Sequence, residues 1–221
     1  MILSPLTLVD VPAALQEFRA CLDDAPFARR VFQRIADTLP FVIGNDIELS
    51  LDRRHCAEAV GLLARFGMAT IDRAPTEGLT WDGQAVAINM EPSVVIHEVA
   101  HFQLAAPKRR HLPDFGVGAG PETGDRAAAE AAQCLTGVAR EVEEALVSLL
   151  GILWEAELGQ PAVLAFLEQN WLEGGANKQN RRHFVRVAEH LRDFGFLDAD
   201  GRPTMALRNC DDSAFFASFL A

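Results

Sequence analysis

Two histidines four residues apart, with a glutamate directly after the first, stand in the stretch Ser93-Val94-Val95-Ile96-His97-Glu98-Val99-Ala100-His101-Phe102-Gln103-Leu104. On an α-helix, residues i and i+4 lie one turn apart on one face, so His97 and His101 can offer two imidazole nitrogens to a single metal ion. Glu98 falls about 100° round the helix from His97, a position from which its carboxylate could act on a water or substrate held at that metal. The surround is almost wholly apolar, and Pro92 suits the first turn of a helix, so the segment reads as a helix that buries its histidines.

Two histidines leave a catalytic site one protein ligand short. The remaining ligand is expected on the edge of the next long helix, where Val138, Val142, Ala145, Leu146, Leu149, Ile152, Leu153 and Ala156 form a broad apolar stripe that ends at Gly159. With Val138 as origin and about 100° per residue, the stripe centres near about 20°, Glu141 falls at about 300°, Glu143 at about 140° and Glu144 at about 240°. Glu141 lies nearest the apolar face and is the expected ligand, with Glu144 as second choice. Glu122, Glu130 and Asp114 stay open as loop-borne alternatives. The plain reading of Glu141, Glu143 and Glu144 is a solvated acidic face early in a helix, where negative charge is favourable.

The elements that must position these groups follow from periodicity and stop signals. Leu15, Phe18, Cys21 and Leu22 recur at helical spacing behind Asp10 and Pro12, and a second helix is expected over 28–39, stopped by Pro40. Phe41-Val42-Ile43 reads as a short strand entering a turn at Gly44-Asn45-Asp46. A helix over 56–66 ends at Gly67. Short β-type runs at 68–71 and 85–90 bracket the turn-rich segment 75–83 and predict a hairpin or small sheet beside the metal-site helix. Pro107, Pro113, Gly116, Gly118, Gly120, Pro121 and Gly124 break regular structure after that helix, so 107–124 reads as a functional loop, either a lid or a substrate-binding wall. Further helices are expected over 138–156, 161–169, 181–194 and 213–220.

The chain has 221 residues, of which 49% are hydrophobic and 23% charged, and no low-complexity linker divides it, so a single domain over 1–221 is expected with its metal-site core at about 85–158. The fold class is α+β: mostly helical, with a small sheet beside the metal-site helix, in a zincin-like arrangement. A formal net charge of −11 and a pI near 5.0 argue against nucleic-acid binding, which draws on a clustered basic surface. Cys21, Cys56, Cys134 and Cys210 contain no Cys-x-x-Cys pair and read as reduced and mostly buried. The first eleven residues lack the form of a secretory signal, and the longest apolar run, 145–154, is too short to span a bilayer. The expectation is a soluble cytoplasmic protein that engages no membrane; oligomeric state is left open.

Ile96-His97-Glu98-Val99-Ala100-His101-Phe102, then Arg109-Arg110, then Asp114-Phe115-Gly116, then Pro121 in a Gly-containing turn, resembles the elongation factor P hydroxylase family. Arg140-Glu141-Val142 is the counterpart of a Val-Glu-Val run in that family. The resemblance covers roughly residues 85–150. It implies a mixed α/β fold with a two-histidine, one-carboxylate metal site that hydroxylates a modified lysine on a translation factor, and it marks Arg109, Arg110, Asp114, Phe115 and Gly116 as the substrate loop. The family's Tyr-Trp-Tyr run is replaced here by Val117-Gly118-Ala119-Gly120 in a chain without tyrosine, and its Lys-Pro-Gln run by Glu143-Glu144.

Three readings follow. In the first, a hydroxylase or oxygenase holds iron through His97, His101 and Glu141, a facial set that leaves positions for oxygen and substrate, with a translation factor-like protein as substrate. In the second, a zinc hydrolase or peptidase uses Glu98 as general base. In the third, the chain is a non-catalytic metal-binding or structural protein whose histidines are satisfied core residues. The cofactor of the first two is a divalent metal, iron or zinc.

Overall fold

The structure, a computed structural model, describes residues 7–43, 49 and 52–220. The described chain is mostly helical with one small sheet. Its elements run α1 (Val11–Ala20), α2 (Pro26–Ala36), α3 (Arg53–Arg65), β1 (Ala69–Ile71), β2 (Ala85–Ala87), α4 (Pro92–Leu104), α5 (Arg126–Ala131), α6 (Gly137–Glu157), α7 (Ala162–Glu168), α8 (Lys178–Asp193) and α9 (Asp212–Leu220). No described helix is long and apolar enough to cross a membrane.

Where the sequence reads as one domain, the chain divides into two compact units, each assembled from two stretches of sequence. The first comprises Met1–Leu49 and Ile152–Thr204, the second Ser50–Gly151 and Met205–Ala221, so α6 begins in the second and ends in the first. No linker signals this partition, because the units interleave.

The first unit packs α1, α2, α7 and α8 around an aromatic centre. Phe18, Phe32, Phe166 and Phe184 are fully buried and meet at centroid distances of 5.1–6.4 Å, mostly edge to face. That geometry adds quadrupole attraction to the area each ring buries. Asn177 caps α8, its Oδ1 accepting from the backbone N–H groups of Gln179 and Asn180 at 2.8 and 2.9 Å. The strand expected over Phe41-Val42-Ile43 is absent: Leu39–Phe41 forms a 3₁₀ turn with Pro40 inside it, where the fixed proline φ suits a helical turn and supplies no ladder donor. Gly44, Asn45 and Asp46 lie outside the described residues.

The second unit carries the site. Asp52 caps α3 by accepting from Arg54 N at 2.7 Å, and the helix is followed by Gly67 at φ +68°. β1 and β2 pair in parallel, in register Ala69↔Ala85, Thr70↔Val86 and Ile71↔Ala87, and Trp81 adds an antiparallel bridge to Val86. A parallel pair requires a crossover of about a dozen residues, which is why 72–84 is a returning connection and not a hairpin turn. β2 and α3 both pack on α4. The four cysteines are free, Cys134 exposed and the others half-buried, so they are less sheltered than the sequence reading has them.

Candidate metal centre

α4 needs no side-chain cap because Pro92 opens it, and its buried face includes Val95, Ile96, Val99 and Ala100. One turn apart on it, the rings of His97 and His101 stand 4.8 Å apart at 78°. Their Nε2 atoms converge on one carboxylate: Glu144 Oε2 lies 3.8 Å from His97 and 3.7 Å from His101. Ligand atoms of all three residues fit within 4.8 Å of one another, so they could hold a metal ion, and they are the one such His/Cys/Asp/Glu group among the described residues.

The carboxylate is therefore Glu144, the second choice, and not Glu141, whose side chain is exposed on α6. The helical wheel was centred wrongly. Val138, its origin, is 57% exposed, whereas Val142, Glu143, Leu146, Val147 and Leu150 are buried and centre the core face near about 100°. Glu141 then points nearly opposite the core. Glu144 points along the side of α6 that meets α4, the side it shares with Gly151 two turns on. A Cβ built on Gly151 would lie 3.5 Å from His97 Cα, so a residue with no side chain lets the two helices come together at the site. A glycine seven positions after an acidic residue was the available signal. Among the alternatives, Glu130 is exposed on α5, Glu122 is half-buried, and Asp114 is committed to hydrogen bonds of its own.

Protonation suits metal binding. Burial presses the His101 imidazole down to about 3, so it is neutral and one ring nitrogen keeps a free lone pair. Burial alone would raise Glu144, but the neighbouring imidazoles of His101 and His97 hold it at about 2, so it is ionised at neutral pH. Two imidazoles and one carboxylate make a donor set that fits a divalent ion. His101 Nδ1 is buried and finds no hydrogen-bond partner. Metal-bound histidines usually donate their other N–H to an acceptor that fixes the ring. Here the fixing is aromatic: Phe115 stacks on His101 at 5.5 Å and 13°, and Trp81 stacks on the other face of Phe115 at 5.3 Å and 3°.

The backbone pays a conformational cost to place that ring. Asp114 (φ 41°, ψ 41°) and Phe115 (φ 53°, ψ 18°) are consecutive left-handed residues followed by Gly116 at φ 72°. Asp114 holds the turn, its Oδ1 accepting from Trp81 N at 3.1 Å and its Oδ2 from the Thr123 hydroxyl at 2.8 Å. Asp114 N also donates to Trp81 O at 2.9 Å. The segment expected as a lid or wall is thus a fixed wall over 114–117, buried and tied to the β1–β2 crossover.

Arg109 is fully buried, so it braces this wall and cannot meet a molecule arriving from solvent. Its guanidinium donates to Phe115 O at 2.8 Å, to Glu143 Oε1 at 2.9 Å with a second bond to Glu143 Oε2, and to Asp212 Oδ1 at 3.0 Å. Arg208 joins the cluster, donating to Asp212 at 2.8 Å. Glu143, read from sequence as solvated, is fully buried beside the ligand Glu144. Arg110 is half-buried, donates to Phe102 O at 2.9 Å and to Arg208 O, and lies over the Phe102 ring. Of the five loop residues marked by the resemblance, all serve the wall or its anchoring.

Glu98 is buried next to His97, and its carboxyl is pushed well above the usual glutamate range, first by burial and then by the carboxylates of Asp114, Glu144 and Glu122. Comparison with protein-family models, with curated proteins and with solved structures finds no match to this chain.

Proposed function

We propose that this chain is a mononuclear metal enzyme in which His97, His101 and Glu144 hold a divalent ion, and that its reaction is a hydroxylation of the elongation factor P hydroxylase kind, with iron as the metal and a protein side chain as substrate. The observation that carries this reading is the convergence of three ligand atoms from α4 and α6 within 4.8 Å. Iron held by two histidines and one carboxylate keeps open positions at which oxygen and substrate can be activated together. The chain's own groups do the rest. Phe115 and Trp81 fix the His101 ring, the 114–117 wall excludes water from one side, and Glu98 places a carboxyl of raised proton affinity next to the site.

Glu98 also favours a second reading, a zinc-dependent hydrolase in a zincin-like arrangement of α4 beside the small sheet. A buried carboxyl with a raised pKa, one residue from a ligand, is suited to take a proton from water and pass it on.

Metal analysis of protein purified without oxygen separates the two. Iron at one equivalent with oxygen uptake on turnover upholds the hydroxylase, tightly held zinc upholds the hydrolase, and neither metal in the wild type overturns both. Glu144→Gln should lose the metal, whereas Glu141→Gln should keep it; the reverse would refute the ligand set. Glu98→Gln should abolish a hydrolase while sparing its zinc, and leave a hydroxylase measurable turnover.

A further inference from the structure

Arg140 lies one turn before Glu144 on the same side of α6, in the helix's first turn, half-buried. Three features of its placement would be unfavourable with a metal bound and nothing else beside it. The positive end of the helix dipole disfavours a cation there. Its Nε is buried without a hydrogen-bond partner, and the guanidinium makes no ion pair with any described residue, although Glu141, Glu143 and Glu144 are all within four positions. It also stands close enough to Glu144 and His101 for its charge to act on both, which would oppose a cation bound between them.

These costs have a common remedy, an anion bound beside the metal ligands. A divalent metal held with Glu144 leaves the Arg140 guanidinium as an unmatched positive charge beside the site. A guanidinium fork matches a carboxylate in shape and charge. A dianionic phosphate fits less well, because it would bring a second negative charge against the Glu144 carboxylate that already stands at the site. We infer that Arg140 is the specificity-determining residue of this site and that the molecule reacting there presents a carboxylate group to it. The inference rests on the metal-site reading and parts from the modified-lysine substrate of the family the chain resembles, since an ammonium group would be repelled from the same place.

The test uses the full chain loaded with cobalt(II), whose visible spectrum reports changes at the metal. In the wild type, acetate should perturb the spectrum saturably and acetamide should not. Arg140→Gln should weaken acetate binding about tenfold or more, the loss expected for a charge-assisted hydrogen bond. The same variant should bind cobalt equally or more tightly. That pair of opposite effects is not what a merely structural role produces. Arg140→Lys keeps the charge without the fork and should fall between; it also serves as the folded control if Arg140→Gln is unstable. Succinate and an end-blocked glutamyl peptide represent a free and a protein-borne carboxylate, and a tenfold loss with either upholds the proposal and names its source. Acetate binding unchanged in both variants, or phosphate preferred over acetate in the wild type, would overturn it while the metal reading stands. A wild type that takes up no cobalt would overturn the metal reading itself, and this inference with it.

Discussion

Replacing Arg109 by methionine removes the centre of the buried charge cluster with little change in side-chain volume. Arg109 donates to Glu143, Asp212 and the Phe115 carbonyl at once. Without it, Glu143 keeps only Arg208, at 3.6 Å, and Phe115 O loses its donor. Removing one partner of a buried ion pair costs about 3–5 kcal/mol, because the other charge is left desolvated. Arg208 retains part of the compensation, and Asp212 keeps its 2.8 Å bond to it, so the lower end, about 3 kcal/mol, is expected. Against a typical total stability of about 5–15 kcal/mol that is a large fraction. In melting temperature it is a fall of roughly 6–12 °C for a chain of this size. Urea unfolding of the metal-free protein, followed by far-UV circular dichroism, measures it. Arg109→Lys should recover little, since one ammonium cannot reach three separated acceptors in a plane. Arg109→Met combined with Glu143→Met should recover at least half of the loss, since neither charge is then stranded. A single-variant cost below about 1 kcal/mol, or a double variant no better than the single, would refute the claim that this pair braces the wall.

Phe115→Leu should leave the fold intact but weaken metal binding about tenfold, as loss of ring-orienting support around a ligand does, and competition with a chromophoric chelator reads it directly. An unchanged affinity would mean that the stack does not orient His101. Glu155 in α6 is buried, and burial followed by the Glu168 charge pushes its carboxyl well above the usual range. The folded state thus holds this proton more tightly than the unfolded chain, so its stability is fully present below the ordinary glutamate pKa and declines as pH rises through the raised value. Glu155→Gln should flatten that decline in urea midpoints taken from pH 5 to 9, and parallel curves for variant and wild type would sink the assignment. A Cβ on Gly124 would lie 2.0 Å from the Thr76 carbonyl oxygen, so Gly124→Ala should cost more than about 2 kcal/mol in the same assay.

How much of this was legible beforehand depended on whether the cause was local. Helices with strong periodicity and a Pro or Gly stop were placed to within a few residues, α3 before Gly67 and α6 ahead of Gly159 among them, and the His97–His101 pair is visible because four residues fix a helix face. The carboxylate was missed by one turn because a wheel takes every apolar residue as buried, and Val138 is not. The parallel pairing of β1 and β2 is decided by the crossover, which three-residue strands do not encode. Least legible were the long-range polar contacts. Nothing in the neighbourhood of Arg109 or of Glu143 announces that they meet across 34 positions, and charged residues are read as solvated by default. The ring stack on His101 was hidden for a related reason, since Phe115 reaches it only through a left-handed backbone that aspartate and phenylalanine seldom adopt.

The interleaving of the two units sets an order in time. As the chain is made from its N-terminus, Arg109 and Glu143 emerge well before Arg208 and Asp212, and the intervening 152–204 belongs to the other unit. A nascent chain that has reached Thr204 holds a buried-to-be arginine and glutamate with one charged partner of each, Asp212 and Arg208, still unmade. The wall that carries Phe115 to His101 is therefore completed only once Arg208 and Asp212 have been made: a product cut short before Arg208 would display the His97–Glu98–His101 motif yet lack part of the support that sets it.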